Sequence, residues 1–232
     1  MALSYQQKRK TVDFVLKKCG VRHLYGRKAW QFMGRVQGEV DLQHFKDTHP
    51  CRHFLEREDL YRYVDEYIIK QEPIDYLEFG VYQGKSMRFW SSLNLNKDSR
   101  FYGFDSFEGL PEDWNNVPKG KFDVGGSIPQ IEDQRVQFIK GWFKDTLPGF
   151  THDLQVKNRL IVHLDADLYS SAMYVLAHVT PFMSKGTVII FDDFNSVNHD
   201  FKSLLDWSQI YKMDYQIFAD AANYMRVCAE LI

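Results

Sequence analysis

Cysteine is scarce in this sequence, and its spacing is not that of a disulfide-rich or zinc-binding protein. The three cysteines, Cys19, Cys51 and Cys228, are odd in number and far apart, with no C-x-x-C pair and no histidine-paired motif. This spacing argues against a disulfide framework and against a zinc site. It favours a protein that works in a reducing compartment.

Long hydrophobic runs are absent as well. Residues 1–20 lack the continuous apolar core of a secretory signal. No later segment approaches the roughly 18 apolar residues that are needed to span a bilayer. We therefore expect a cytoplasmic protein that makes no membrane association.

A large net charge of either sign is also missing. Lys and Arg together number 29, against 31 Asp and Glu, which gives a formal net charge of −2. This balance provides no broad positive field to attract nucleic acid or an anionic membrane. The short basic run at residues 8–10 is interpreted as a solvated helix face. No nucleic-acid partner is expected.

The sequence has the composition of an ordinary globular protein, with 232 residues of which 44 % are hydrophobic and 26 % are charged. One large α/β domain with a helical extension fits this length. Residues 1–72 are predicted to be that helical N-terminal extension, or cap, because their apolar residues recur at helical intervals. The apolar positions that carry this period are Val12, Val15, Leu16, Leu60, Tyr63, Val64, Tyr67 and Ile68.

After Pro73 the pattern changes to short apolar runs that alternate with helical stretches, which is typical of βαβ units and a parallel sheet. Residues 73–232 are therefore predicted to form a Rossmann-like α/β domain with helices on both faces. The last two runs could form an antiparallel edge pair, which is the ending of the class I methyltransferase variant, with seven strands in all. The predicted strands are Ile74–Phe79, Phe101–Asp105, Val136–Lys140, Leu160–Asp165, Val188–Asp192, Tyr215–Ala219 and Tyr224–Glu230.

A long segment at about residues 108–133 does not fit a regular element, because it is rich in proline and glycine. A loop of this length is usually a functional lid or a disordered segment. Trp114 and Phe122 provide apolar anchors, so we interpret the loop as a lid that is ordered by itself or by a ligand.

The stretch "YLEFGVYQGKS" at residues 76–86 resembles a phosphate-binding loop but has one residue too few between Gly80 and Gly84. Glu78 next to the turn would repel a pyrophosphate and would suit a ligand with a cationic end, such as S-adenosylmethionine. Asp105, at the end of the next predicted strand, lies where an acid contacts ribose hydroxyls. The alternative is an ordinary strand-to-helix turn. Trp142 follows the third strand and is expected either to stack on adenine or to pack in the core.

Four aspartates follow two consecutive predicted strands, in "LIVHLDADLYSS" and "TVIIFDDF". Ligands of open parallel sheets collect at these strand ends, so Asp165, Asp167, Asp192 and Asp193 are expected to face one crevice. Clustered oxygen ligands favour magnesium, although aspartates can also cap helices. A bound magnesium ion could chelate two substrate oxygens and lower the pKa of a hydroxyl. His163 is interpreted as a packed core side chain.

The motifs "YLEFGVYQGKSMRFW", "FYGFDSFEGLPEDW", "IKGWFKDTLPGF", "HLDADLYSSAMYVL" and "GTVIIFDDF" occur in an order that resembles the macrocin O-methyltransferase (TylF) family, over about residues 54–194. The resemblance implies a class I methyltransferase with S-adenosylmethionine as donor and magnesium as cofactor. It implies Asp165, Asp192 and Asp193 as metal ligands and Asp167 as general base. The positions expected to bind the donor are Glu78, Gly80, Tyr82, Gly84, Ser86, Asp105, Ser106, Trp142 and Asp165.

The function expected from these observations is a magnesium-dependent O-methyltransferase that acts on a hydroxyl of a sugar or glycosylated small molecule in natural-product biosynthesis. A catechol-type O-methyltransferase and a non-catalytic module that binds S-adenosylmethionine are the alternatives. A nicotinamide oxidoreductase is disfavoured, because the first turn has no G-x-G-x-x-G. Residues 1–50 carry no family motif. In related enzymes such an extension forms acceptor and subunit contacts, so a homo-oligomer is expected.

Overall fold

The structure is a computed structural model that describes Lys10 and residues 27–232. It contains one eight-stranded sheet with the strand order β1-β7-β8-β6-β5-β2-β3-β4. Every neighbouring pair is parallel except the two pairs that involve β8. The strands are β1 (Arg52–Phe54), β2 (Ile74–Phe79), β3 (Arg100–Asp105), β4 (Val136–Lys140), β5 (Arg159–Leu164), β6 (Val188–Phe191), β7 (Tyr215–Ala221) and β8 (Arg226–Leu231).

The helices of the described residues follow the βαβ pattern. A π-helical turn, Val64–Ile69, continues the second helix, and a 3-10 turn, Thr180–Phe182, ends the fifth. The α-helices are α1 (Arg27–Thr48), α2 (Arg57–Tyr63), α3 (Lys85–Leu93), α4 (Phe143–Asp153), α5 (Tyr169–Val179) and α6 (Asp200–Tyr211). None of them combines the length and the apolar character that a membrane span requires.

The sheet separates two hydrophobic cores, and alternation along its strands supplies both. In β5, Leu160, Val162 and Leu164 face the core formed with α4, α5 and α6, whereas Ile161 faces the core formed with α2 and α3. A strand that is buried on both faces reads as a continuous apolar run, which is why the sequence located it. The predicted α/β fold with an antiparallel C-terminal pair is confirmed.

The strand count differs from the seven that we predicted, because a three-residue strand joins the sheet edge. Arg52, His53 and Phe54 pair in parallel with β7. They lie inside the segment 1–72 that was predicted to be helical, and three residues are too few to show a period of two. The predictions for Val12, Val15, Leu16 and Cys19, and for the run at 8–10 apart from Lys10, lie outside the described residues.

Helix α4 was also missed by the sequence analysis. It contains Pro148 and Gly149, which are poor helix formers and predict a break. Leu147 is nevertheless buried in the core beside α5, and Phe150 packs edge-on against Phe104 of β3. Tertiary packing therefore overrides the weak local preference.

The segment at residues 108–133 forms a compact loop of turns and bends. Two isolated bridges, Glu108 with Asp123 and Trp114 with Val117, close it internally. The amide of Leu110 donates to the carbonyl of Lys121 at 2.9 Å. The loop is therefore held together by its own hydrogen bonds.

Asp75, at the start of β2, is a buried carboxylate whose replacement tests the fold. It accepts hydrogen bonds from Arg100 Nε and the amide of Lys157, both at 2.7 Å. Burial raises the pKa of Asp75, but these donors outweigh it and hold the pKa below the ordinary value. Asp75→Asn should lower the free energy of unfolding at pH 7 by about 2–4 kcal/mol, because it leaves the Arg100 charge without its partner.

The pH dependence of this loss has a defined sign. Because the pKa of Asp75 is lower in the folded state, its ionised form stabilises the folded protein at pH values above the unfolded pKa, roughly 4. That stabilisation disappears as the pH falls through the folded pKa. The difference between Asp75→Asn and the parent should therefore narrow in acid. Urea unfolding at pH 7 and at a series of pH values below 4 measures the change, with the exposed Asp98→Asn as control. Equal stabilities of Asp75→Asn and the control would contradict the assignment.

Candidate functional site

The carboxyl ends of β2, β3, β5 and β6 open into a cavity of about 770 Å³. Parallel strands bring their carboxyl ends to one edge, so residues far apart in the sequence meet there. Most of the residues that the sequence predicted for a site line this cavity: Gly80, Tyr82, Asp105, Ser106, Trp142, Asp165, Asp167, Asp192 and Asp193.

Glu78, Gly84 and Ser86 are the predicted site residues that do not line the cavity. Glu78 is buried, and it accepts hydrogen bonds from Ser86 Oγ at 2.6 Å and from Tyr76 Oη at 3.0 Å. Burial raises the pKa of Glu78. In this structure Glu78 and Ser86 therefore bond to each other beneath the cavity rather than inside it. Their contact with a donor molecule stays a prediction.

Gly80 lets the turn after β2 lie directly on the end of β5. Its φ is +94°, and a Cβ at this position would come within 1.7 Å of the carbonyl oxygen of Asp165. The amide of Gly80 donates to Phe104, and the amide of Asp165 donates to Phe79, both at 2.9 Å. Three strand ends are therefore bound to each other through a position where only glycine fits.

Asp105 organises the same turn from β3. Its Oδ2 accepts hydrogen bonds from the amides of Val81 and Tyr82, both at 2.8 Å, and its Oδ1 accepts one from the amide of Phe107 at 2.7 Å. The sequence analysis expected a ribose contact and missed this positioning role. A carboxylate has about four lone-pair positions, so three bonds leave capacity for a ligand.

Three of the four aspartates repel each other across the cavity floor. Burial, followed by the charge of Asp192, raises the pKa of Asp165 well above its ordinary value. Burial and Asp193 raise the pKa of Asp167 to about 8, and burial and Asp192 raise that of Asp193 to about 6. The predicted cluster therefore exists, and its carboxylates are short of countercharge.

Asp192 differs from the other three because two arginines balance its charge. Arg226 Nε lies 3.1 Å from Asp192 Oδ1, and Arg57 Nη1 lies 3.6 Å from Oδ2. Tyr61 Oη donates to Oδ1 at 3.1 Å. Burial raises the pKa of Asp192, but His163 and these arginines outweigh it and hold the pKa far below its usual range. The sequence analysis did not find Arg57 and Arg226, which lie on elements far from the motif.

A buried chain of side chains joins the glycine turn to the aspartates. Tyr76 Oη lies 2.6 Å from His163 Nδ1 and also bonds Glu78. On the other side of the ring, Tyr61 Oη lies 3.4 Å from Nε2 and bonds Asp192. His163 is fully buried, as the interpretation of a packed core residue expects. Through the two tyrosines, its ring links Glu78 to Asp192.

Asp200 is a fifth carboxylate that the sequence analysis missed. It begins α6, is fully buried, and its Oδ1 has no hydrogen-bond partner among the described residues. Burial and the charge of Asp193 raise its pKa to about 8. His199, next to it, accepts the amide of Tyr169 at 3.1 Å and does not line the cavity. Asp200 itself does not line the cavity, but its contact with the amide of Asp193 places it directly behind the aspartates.

A hard divalent cation fits this donor set in chemistry, because the available atoms are carboxylate oxygens that lack countercharge. The raised pKa values of Asp165 and Asp167 agree with it, because they show carboxylates that are buried together in the cavity lining. The predicted ligands Asp165, Asp192 and Asp193 are not among the described groups whose donor atoms all lie within 4.8 Å of each other. Shared coordination would therefore require their carboxylates to rotate towards a common point.

Sequence comparison relates the chain to known methyltransferases. The sequence model described as macrocin-O-methyltransferase (TylF) matches residues 127–223, which confirms the predicted resemblance. The chain is 32 % identical to 8-demethyl-8-(2,3-dimethoxy-alpha-L-rhamnosyl)-tetracenomycin-C 4'-O-methyltransferase of Streptomyces olivaceus, over 60 % of each sequence. It is 27 % identical to demethyldecarbamoylnovobiocin O-methyltransferase of Streptomyces niveus, over 59 % of each. The chain thus spans about 60 % of the length of the curated relatives it matches.

Solved structures share the fold. The O-methyltransferase NovP superposes with a TM-score of 0.59 at 22 % identity, over 75 % of this chain and 78 % of that one. The calicheamicin methyltransferase CalS11 gives a TM-score of 0.57 at 15 % identity, over 99 % and 94 %. An O-methyltransferase from Bacillus cereus in complex with SAH gives 0.51 at 11 % identity, over 99 % and 100 %. At these identities the likeness shows the class I methyltransferase fold alone.

Proposed function

We propose that this chain, which matches the macrocin-O-methyltransferase (TylF) family over residues 127–223, is an S-adenosylmethionine-dependent O-methyltransferase. Its acceptor would be a hydroxyl of a sugar or glycosylated small molecule. The observation that carries the proposal is a single cavity in which the glycine turn after β2 meets the aspartates after β5 and β6. The relative from Streptomyces olivaceus is named for a substrate that carries a rhamnosyl group, which supports this acceptor class.

The donor would occupy the half of the cavity lined by the turn after β2. Gly80 lines this half of the cavity, and Asp105 has remaining acceptor capacity for ribose hydroxyls. Trp142 lines the wall after β4 and offers a face on which adenine could stack. Ser106 lies between these groups on the same edge. A fold neighbour that binds SAH supports this assignment.

The acceptor would lie between the aspartates and the loop at 108–133. That loop contributes Leu110, Trp114 and Phe122 to the cavity, and α5 contributes Tyr174. Aromatic faces pack against the C–H surface of a sugar ring, while the aspartates can bind its hydroxyls. Of the four, Asp167 is proposed as the general base, because it lines the cavity and is the one aspartate of the cluster that is not proposed as a metal ligand.

We propose Asp165, Asp192 and Asp193 as the residues that would hold a magnesium ion. When bound, such an ion polarises an acceptor hydroxyl and lowers its pKa. The positive charge would also lower the raised pKa values of the neighbouring carboxylates and keep Asp167 ionised at neutral pH. The remaining residues position the reactants, since methyl transfer needs nucleophile, carbon and sulfur in line.

The proposal is tested by supplying labelled S-adenosylmethionine and magnesium with two sets of acceptors, glycosides that carry vicinal hydroxyls and catechols. Methyl incorporation into glycosides alone is the expected result. Turnover of catechols alone would replace the sugar assignment by the catechol alternative. Calorimetry with S-adenosylhomocysteine and with NAD runs in parallel. Tight S-adenosylhomocysteine binding without turnover of any acceptor would favour the non-catalytic module.

Metal removal gives a sharper test of the aspartate cluster. Chelation should abolish methyl transfer, and magnesium should restore it. Asp193→Asn should raise the magnesium concentration needed for half-maximal activity at least tenfold. The exposed Asp145→Asn on α4 serves as the matched control and should leave that concentration unchanged. Full activity in excess chelator would remove magnesium from the proposal while leaving the donor site intact.

The stability of the chelated protein should depend on pH with a defined sign. The pKa values of Asp167, about 8, and Asp193, about 6, are raised above the ordinary carboxyl value. Protonation of these two carboxyls stabilises the folded state most at or below the unfolded pKa, roughly 4, and this contribution is lost as the pH rises to the folded values. The chelated protein should therefore lose stability between about pH 4 and pH 8. Magnesium should flatten this dependence. Thermal unfolding with and without magnesium measures it, and identical slopes would contradict the assignment.

A further inference from the structure

A second cluster of metal-ligating side chains lies at the sheet edge formed by β1 and β7. Parallel pairing sets His53 opposite Asp220, and Cys51 lies two residues before His53, which puts both on the same face. Cys51 Sγ donates to Asp220 Oδ1 at 3.4 Å, and His53 Nδ1 contacts the same oxygen. The three donor atoms all lie within 4.8 Å of one another.

We propose that Cys51, His53 and Asp220 bind a divalent cation of the zinc class, at a site separate from the methyltransferase cavity. Thiolate sulfur, imidazole nitrogen and carboxylate oxygen are zinc ligands, whereas magnesium takes oxygen ligands. None of the three residues lines the cavity. Three protein ligands leave the fourth tetrahedral position to water, and the half-exposed His53 side chain gives the ion a route from solvent.

Neighbouring groups hold the ligands in place. The amide of Tyr224 donates to Asp220 Oδ2 at 2.8 Å, so Oδ1 is left to face Cys51 and His53. Tyr224 Oη donates to the carbonyl of His49 at 2.9 Å and also lies 3.5 Å from Cys51 Sγ. Such outer contacts orient metal ligands and strengthen binding.

A bound cation would also neutralise the charge of a buried carboxylate, Asp220. The Asp220 side chain is only 1 % exposed, and its ion pair in the described part of the chain is with His53, whose side chain is 65 % exposed. A divalent ion would supply a stronger countercharge. Binding would release the Cys51 thiol proton to solvent, so it becomes tighter as the pH rises. It would also fasten the short strand β1, and with it α1, to the antiparallel end of the sheet.

Metal binding to the full chain tests this proposal directly. After treatment with a chelator and removal of the chelator, Zn²⁺ is titrated by calorimetry in excess magnesium, which is intended to occupy the proposed aspartate site. The titration should show one tight site per chain. Co²⁺ should produce a thiolate-to-metal charge-transfer band. Zn²⁺ should also raise the midpoint of thermal unfolding. Cys51→Ser should abolish the Co²⁺ band, and both Cys51→Ser and His53→Gln should weaken Zn²⁺ binding at least tenfold.

The matched control is His152→Gln. His152 Nδ1 contacts Asp153 Oδ1 at 2.6 Å, an exposed histidine–carboxylate pair without a cysteine. This variant should bind Zn²⁺ like the parent. Absence of stoichiometric binding, or binding that survives both Cys51→Ser and His53→Gln, would overturn the proposal. Equal weakening in the His152→Gln control would also overturn it. Methyltransferase activity plays no part in these measurements.

Discussion

Asp167→Asn should lower kcat by at least a hundredfold while it leaves the Kd for S-adenosylhomocysteine within about threefold of the parent value. Proton removal by a positioned base contributes about 10²–10⁴ to a rate, and asparagine keeps the shape of the side chain but cannot accept the proton. Asp167 lines the cavity, and burial, followed by the charge of Asp193, raises the pKa of its carboxyl to about 8, which suits proton removal near neutral pH. The loss should therefore fall on the chemical step.

The measurement compares single-turnover methyl transfer with calorimetric binding of S-adenosylhomocysteine in the same preparation. Asp214→Asn, an exposed aspartate before β7, is the control and should retain parental kcat. A kcat within a factor of two of the parent would remove Asp167 from the role of base. Equal loss of binding and turnover would indicate a structural role instead.

Gly80→Ala should destabilise the protein by more than about 3 kcal/mol and abolish donor binding. The new Cβ would lie 1.7 Å from the backbone oxygen of Asp165, far inside contact distance. The Cβ position is fixed by the backbone of residue 80, and the oxygen belongs to the backbone of Asp165, so side-chain rotation cannot relieve the overlap. Backbone hydrogen bonds to the neighbouring strand ends hold both residues in place. Substitutions that force such a rearrangement belong to the exceptional tail of mutational effects. The ends of β2 and β5 would have to separate, and this movement would disrupt the cavity floor that they form.

Gly186→Ala provides a control with a similar positive φ and no steric conflict. Its φ is +90°, close to the +94° of Gly80, and a Cβ there would meet nothing within 4 Å. The backbone penalty alone costs about 1 kcal/mol. Urea unfolding and calorimetry on both variants separate the two effects. If Gly80→Ala were no worse than Gly186→Ala, the close approach of the two strand ends would not matter for the site.

The sequence located strands β2 to β5 well because each is a short, mainly apolar run between turn residues. The predicted bounds of β2 and β4 match the structure, and those of β3 and β5 differ by one residue at the ends. A strand that is buried on both faces leaves a continuous hydrophobic run between turn residues, and this signal is local. The same argument placed Asp165 and Asp192 just beyond strand ends, on one edge of the sheet.

Features that depend on contacts between distant segments were missed. Strand β1 has three residues and exists because it pairs with β7. Arg57 and Arg226 meet Asp192 although one follows β1 and the other begins β8. Cys51 and His53 lie close together in the sequence, but Asp220 comes 167 residues after His53, so the cysteine spacing alone argued against zinc.

The sequence by itself determined the alternation of strands and helices, the glycine turn and the chemical types of the residues that end the strands. These follow from local periodicity and from the conformational freedom of glycine. The tertiary structure alone decided that Glu78 turns inward to Ser86, that Asp192 is neutralised by arginines while Asp167 and Asp193 are not, and that Asp105 binds the turn. The reason is physical. The charge state of a carboxylate depends on burial and on neighbours within a few ångströms, and strand order, which is not a local property of the chain, sets those neighbours.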